Sequence, residues 1–247
     1  SAGYYVDTTA ATSQTACPAG TYTSGTGSTS SSDCVTTPAG YYSTSNSSAP
    51  TPCPVGTYQP STGQSSCIVA SAGYYVPTTA ATAQTACAAG TYQPSTGQTS
   101  CIDASAGYYV DTTAATSQTA CATGTYQPST GQTSCVDASA GYYVDTTAAT
   151  NQTACAVGTY QPDEGQTSCE EADAGYYVDT TAATDQTACD PGTYQNQTGQ
   201  ASCIDAPAGT YVDTTAATSP TDCALGTYQP DEGQTSCDDA NPGYYVP

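Results

Sequence analysis

Cys87, Cys121, Cys155, Cys189 and Cys223 stand 34 residues apart, as do Cys67, Cys101, Cys135, Cys169, Cys203 and Cys237. A fixed period of this length in one residue type marks a tandem array, in which each unit finds its contacts within itself and in its immediate neighbours. The clearest unit, Ala106 to Ser139, reads AGYYVDTTAATSQTACATGTYQPSTGQTSCVDAS. On this period the chain parses into repeats 1–34, 35–67, 68–101, 102–135, 136–169, 170–203 and 204–237, with a partial repeat at 238–247. Two stretches depart from it: the Cys17 to Cys34 interval carries three extra residues, and Gly40 to Cys53 is one residue short.

Each unit is itself two 17-residue halves, seen by aligning Ala104-x-x-Gly107-x-Tyr109 through Gln118 with Cys121-x-x-Gly124-x-Tyr126 through Cys135. One half has Cys at both ends, fourteen residues apart; the other has Ala and Gln at the same two places. Both ends change together, as expected if they face each other, one pair covalent and the other not. That selects the sequential pairing Cys17 with Cys34, Cys53 with Cys67, Cys87 with Cys101, Cys121 with Cys135, Cys155 with Cys169, Cys189 with Cys203 and Cys223 with Cys237. The alternative, bridging the longer intervals, strands Cys17 and Cys237 unless neighbouring chains supply partners. Closing loops of this size stabilises by about 3 kcal/mol each in the chain-entropy model.

Covalent closure matters because Ile, Leu and Val together number only sixteen, too few for a conventional core. Order has to come from cystines and from the twenty-two tyrosines. The expected fold class is therefore a rod of small disulfide-rich β repeats, each 34-residue unit made of two hairpin-like modules. The runs G-Y-Y-V and G-T-Y-Q are β-prone, Q-P-S-T-G-Q and Q-P-D-E-G-Q are turns, and T-T-A-A-T forms a single turn at most.

With no Lys, Arg or His the formal charge is -21. Nothing can neutralise phosphates, so a nucleic-acid partner is excluded, and an anionic membrane surface is disfavoured. No apolar run reaches the length of a membrane span, so no membrane insertion is expected. The same absences remove the ordinary neutral-pH base, the Schiff-base amine and the bidentate anion clamp, and no enzymatic activity or cofactor is expected. Evenly spaced cysteines imply an oxidising compartment, outside the cell or on its surface.

All twenty-two tyrosines follow a glycine. The position two after Gly, as at Tyr92, Tyr109 and Tyr126, is expected to pack on the disulfide or the next module. The first position, Tyr4, Tyr41, Tyr74, Tyr108, Tyr142, Tyr176 and Tyr244, points elsewhere in the strand alternation and is the candidate for stacking, lateral or glycan contacts. Asn46, Asn151 and Asn196 lie in N-x-[ST] sequons and are candidate N-glycosylation sites, and Thr112 and Thr113 represent clusters that suit O-glycans. Carboxylates recur at Asp111, Asp145, Asp179 and Asp213, and pair at Asp163 with Glu164, Glu170 with Glu171, Asp231 with Glu232 and Asp238 with Asp239. They form a solvated acidic face, with weak Ca²⁺ bridging between chains as the one metal role they suit, since no tight loop of alternating acids is present.

Cys17 to Tyr22 reads CPAGTY, Cys53 to Tyr58 reads CPVGTY, and S-S-C or T-S-C closes most loops. This pattern resembles the ephrin-receptor-like cysteine-rich repeat, related to tumour-necrosis-factor-receptor-like modules. The resemblance implies an extracellular, elongated, non-enzymatic spacer or scaffold. That family usually carries C-x-x-C at each joint, whereas Gln118-x-x-Cys121 and Cys101-x-x-Ala104 keep one cysteine each. The expected role is a structural subunit of a glycosylated filament or surface appendage, with a second copy of the chain as partner. Asn241 to Val246 (NPGYYV) repeats the register of Ser1 to Val6 (SAGYYV), as head-to-tail polymerisation requires. The alternative is the stalk of an adhesin or receptor ectodomain.

Overall fold

The structure is a computed structural model and describes residues 1–241 and 243. Among these, regular structure consists of two-residue strands joined in pairs as antiparallel hairpins, one hairpin per 17-residue half. In a cystine half Thr91–Tyr92 pairs with Ile102–Asp103, and in the other kind Tyr74–Tyr75 pairs with Thr85–Ala86. The one helical turn described is a 3-10 turn at Ser31–Asp33, capped by Ser30 and lying within the extra residues of the Cys17 to Cys34 interval. Asp33 Oδ2 accepts the Thr29 and Ser30 N–H groups at 2.9 and 3.2 Å. The insertion is absorbed there, because the Cα atoms of Cys17 and Cys34 remain 5.7 Å apart, against 5.8 Å for the shorter loops.

By contacts the chain divides into two units, Ser1–Thr119 with Ser129–Ser134, and Ala120–Pro128 with residue 135 onward. Within each, the same backbone bonds recur from half to half. In the first unit Gly73 N–H donates to Gln93 O and Gly90 N–H to Val110 O, at 2.8 and 2.7 Å. In the second Gly141 N–H donates to Gln161 O and Gly158 N–H to Val178 O, both at 2.8 Å. Each such glycine has a positive φ, +83° at Gly141, and a Cβ there would overlap the carbonyl oxygen of Ala182, two halves further on. Three consecutive halves therefore meet at glycines such as Gly73 and Gly141, which leaves room for hydrogen alone, whereas Gly209 and Gly226 have no such neighbour.

The turn T-T-A-A-T places its first alanine in the left-handed region, with φ between 55° and 59° at Ala10, Ala80, Ala114, Ala148, Ala182 and Ala216. The cystine halves have Gly at this point, for example Gly97 and Gly165. An L-residue in this conformation costs about 1 to 2 kcal/mol. The carbonyl that abuts the glycine of an earlier half belongs to this same residue, as with Ala182 and Gly141, so the left-handed turn is what sets that carbonyl against the glycine.

The interior is thin and repeats with the chain. In cystine halves the inner cysteine is fully buried at Cys17, Cys53, Cys87, Cys121, Cys155 and Cys189, beside a buried Gln such as Gln93 or Gln161. In the other halves the equivalents are a fully buried Ala, such as Ala70 or Ala172, and a buried Val, such as Val76 or Val178. The buried amides are satisfied locally: Gln93 Nε2 donates to Ser100 O at 2.9 Å while its Oε1 accepts Ser95 N–H at 3.0 Å. Gln161 repeats both bonds on Ser168 and Asp163.

Candidate interaction surface

The seven disulfides join Cys17–Cys34, Cys53–Cys67, Cys87–Cys101, Cys121–Cys135, Cys155–Cys169, Cys189–Cys203 and Cys223–Cys237, and no cysteine is free. The second cysteine of each pair is only half-buried, so one edge of every cystine faces outward. Beside two of these edges in the second unit lie equivalent open grooves of about 410 Å³. One is lined by Tyr143, Asp145, Thr159, Ser168 and Cys169, and the other by Tyr177, Asp179, Thr193, Ser202 and Cys203. Each offers an aromatic face, a carboxylate and hydroxyl groups, a set suited to weak polar contacts.

In the halves without cysteine, closure is by an amide. Gln84 Oε1 accepts Ser71 N–H at 2.8 Å, Gln118 accepts Ser105 N–H at 2.7 Å, and Gln152 accepts Ser139 N–H at 2.7 Å. Where the pattern breaks, both partners go together: Pro50 and Pro220 replace the glutamine, and Pro38 and Pro207, which have no N–H, replace the donor. The sequence marks these glutamines by their coincidence with cysteine; the backbone partner carries no signal in the residue letters.

The tyrosines of both positions are half-buried throughout most of the chain, Tyr74 and Tyr75 alike, so their exposure does not divide by position. What differs is the residue across the hairpin. Most first-position tyrosines are paired with alanine, as in Tyr74↔Ala86, Tyr142↔Ala154 and Tyr176↔Ala188, whereas Tyr41 is paired with Pro52. Second-position rings face Thr in those halves and Ile102, Val136, Glu170 or Ile204 in the cystine halves, and Tyr143 and Tyr177 line the grooves beside the disulfides. Opposite Glu170, burial together with the Glu170 carboxylate and, further off, Asp173 and Asp185 pushes the Tyr160 phenol above its ordinary range. Tyr244 lies outside the described residues.

Asn46, Asn151 and Asn196 are exposed. Asn151 lies at a bend and Asn196 just before one, whereas Asn46 stands on a turn with a left-handed backbone, φ 62°, and its Nδ2 donates to Tyr4 Oη at 3.1 Å. Thr112 and Thr113 are exposed on the T-T-A-A-T turn. The recurrent carboxylates Asp111, Asp145, Asp179 and Asp213, and the paired acids, are likewise exposed. Among the described residues no three His, Cys, Asp or Glu side chains gather to hold a metal ion, and no helix is long and apolar enough to cross a membrane.

A search of curated proteins finds no match to this chain. The family model described as tyrosine-protein kinase ephrin type A/B receptor-like matches residues 40–87, 73–121, 141–189 and 175–223, overlapping windows that each take in consecutive halves and together cover more than half of the chain. With its 34-residue period, antiparallel hairpins and within-half cystines, the chain belongs to the ephrin-receptor-like cysteine-rich repeat family.

Proposed function

We propose that the chain is a structural subunit of an extracellular, glycosylated filament or surface appendage that polymerises head to tail. One observation carries this reading: the contact between successive halves is directional and recurs from half to half within each unit. A glycine N–H on one half meets a carbonyl on the next, in Gly73 to Gln93 and in Gly141 to Gln161 alike. A surface that already binds its own copy along the chain is of the heterologous kind that extends without closing. Cystine closure in every 34-residue unit supports a location outside the cell or on its surface, where such bonds persist. The absence of His, Lys and Arg supports a non-enzymatic role without a cofactor. Exposed carboxylates give weak Ca²⁺ bridging between copies a way to offset the -21 charge of each. Negative-stain microscopy and sedimentation of the purified chain, with Ca²⁺ and with chelator, test the assembly. Filaments that lengthen with concentration are expected, and dispersed monomers at all concentrations overturn it.

Family membership favours a second reading, the stalk of an adhesin or receptor ectodomain. A membrane-spanning or lipid-anchor segment encoded next to these repeats, together with monomeric behaviour, selects it.

A further inference from the structure

We propose that the first-position tyrosines, Tyr74, Tyr142, Tyr176 and their equivalents, are oxidative cross-linking sites through which one copy of the chain is joined to another by dityrosine bonds. The inference deepens the structural-subunit reading by naming a covalent bond between copies.

The chemistry follows first from what the chain lacks. It has no Met and no Trp, no His, and no free cysteine. Thioether and thiolate are the side chains that ordinarily intercept peroxide and its radicals. In this chain the phenols are the easiest groups left to oxidise, and there are twenty-two of them. One-electron oxidants therefore act on tyrosine without competition from side chains that would divert them to sulfoxide, sulfenic acid or oxidised indole.

The geometry then separates one set of phenols from the other. Across the hairpin a first-position tyrosine is paired with a small residue, Ala16 opposite Tyr4, Ala86 opposite Tyr74, Ala154 opposite Tyr142 and Ala188 opposite Tyr176, with Pro52 opposite Tyr41, so its cross-strand neighbour crowds the half-buried ring least. Second-position rings meet branched or longer side chains, and two of them line grooves beside a cystine. The rings of one Tyr-Tyr pair cannot couple to each other, because neighbouring residues of a strand project to opposite faces. With successive first-position tyrosines 34 residues apart in the chain, as at Tyr74, Tyr108, Tyr142 and Tyr176, the partner ring is assigned to a second copy.

The step balances as follows. A haem peroxidase with hydrogen peroxide removes one electron and one proton from each of two phenols. The two phenoxyl radicals join through ring carbons ortho to oxygen, and each ring then shifts its ortho hydrogen to oxygen to regain aromaticity. The peroxide takes up the two electrons and two protons and leaves as two waters.

The test treats the purified, disulfide-intact chain with peroxidase and hydrogen peroxide, then runs reducing gels, measures dityrosine fluorescence and maps the linked peptides by mass spectrometry. Oligomers that survive reduction, with links mapped to the first-position tyrosines, are expected. Phe at all first positions should lower the yield of linked dimers several-fold, whereas Phe at Tyr92, Tyr126 and Tyr194 should leave it near wild type. Absence of dityrosine in the wild-type chain, links confined within one molecule, or links mapped mainly to second-position rings each overturn the proposal. The map on the wild-type chain decides the matter even if the multiple-Phe variant fails to fold. Sedimentation of the untreated chain reports separately on assembly, so filaments that form yet do not link refute this inference alone.

Discussion

Gln186 grips Asp173 with both ends of its amide: Oε1 accepts the Asp173 N–H at 2.6 Å while Nε2 donates to Asp173 Oδ2 at 2.8 Å. The next residue back, Ala172, is fully buried where the cystine halves place their inner cysteine, and Gln186 stands fourteen residues on, at the outer cysteine's position. An amide clasp here occupies the site of a disulfide. The double substitution Ala172→Cys with Gln186→Cys should therefore close a new bridge and add about 3 kcal/mol in the chain-entropy model. Intact mass before and after reduction, with denaturant unfolding, checks it. Gln186→Ala alone should cost about 1 kcal/mol.

Two hydroxyls in the second repeat are buried without partners, Thr37 Oγ1 and Ser43 Oγ. The same two positions carry Ala and Val in later repeats, for example Ala70 with Val76 and Ala172 with Val178. Thr37→Ala combined with Ser43→Val should stabilise by about 1 to 3 kcal/mol, since a buried unpaired polar group costs that order and the replacements fit the same site elsewhere in the array. Unchanged or lower stability in urea titrations would contradict the equivalence of the repeats.

At the glycine junction opposite outcomes are expected from opposite substitutions. Gly141→Ala adds a Cβ that overlaps the Ala182 carbonyl and sits at φ +83°, so it should destabilise by about 3 kcal/mol or more. Ala182→Gly removes the left-handed strain at φ 57° and should stabilise by about 0.5 to 1 kcal/mol, because the strain relieved exceeds the unfolded-state entropy that glycine adds. Thermal unfolding of the two variants beside wild type reads both signs.

Glycan occupancy should differ among the three sequons. Asn46 places its amide on Tyr4 and holds a left-handed turn, while Asn151 and Asn196 stand exposed without such a tie across the fold. Glycopeptide mass spectrometry of secreted material should find sugar predominantly on Asn151 and Asn196. Full occupancy of Asn46 with bare Asn151 and Asn196 would contradict this.

The raised phenol of Tyr160 has a defined consequence for alkali. Its folded pKa lies above the unfolded value near 10, so its contribution to stability is fully present below that value and is lost as pH rises through the folded one. Glu170→Gln removes the facing carboxylate and should bring the Tyr160 phenol down toward its ordinary range. Ultraviolet difference titration of wild type against this variant should show the late-titrating phenol move to lower pH while burial keeps it above the ordinary range; an unaltered titration rejects the assignment.

Much of this fold is legible because its determinants are periodic residue types. The cysteine period, the Gly-x-Tyr motif and the P-x-x-G turns place the halves and their hairpins directly. The exchange of Cys for Ala and Gln at paired positions exposes the alternation of closures, although the partner of each Gln is a backbone N–H, which no residue letter reports. The left-handed alanines were equally hidden, because T-T-A-A-T carries no glycine to announce a positive φ; only alignment with Gly97 or Gly165 in the other halves could have found them. Exposure of the tyrosines escaped for a different reason. In a two-residue strand both faces are half covered, so alternation alone does not sort inside from outside.

Alternating cystine and amide closures give the chain a graded response to tension. The loops held by Gln84, Gln152 and Gln186 are closed by hydrogen bonds that should yield at lower load than the covalent cystine loops beside them. Single-molecule stretching of the chain before and after reduction should separate the two kinds of closure.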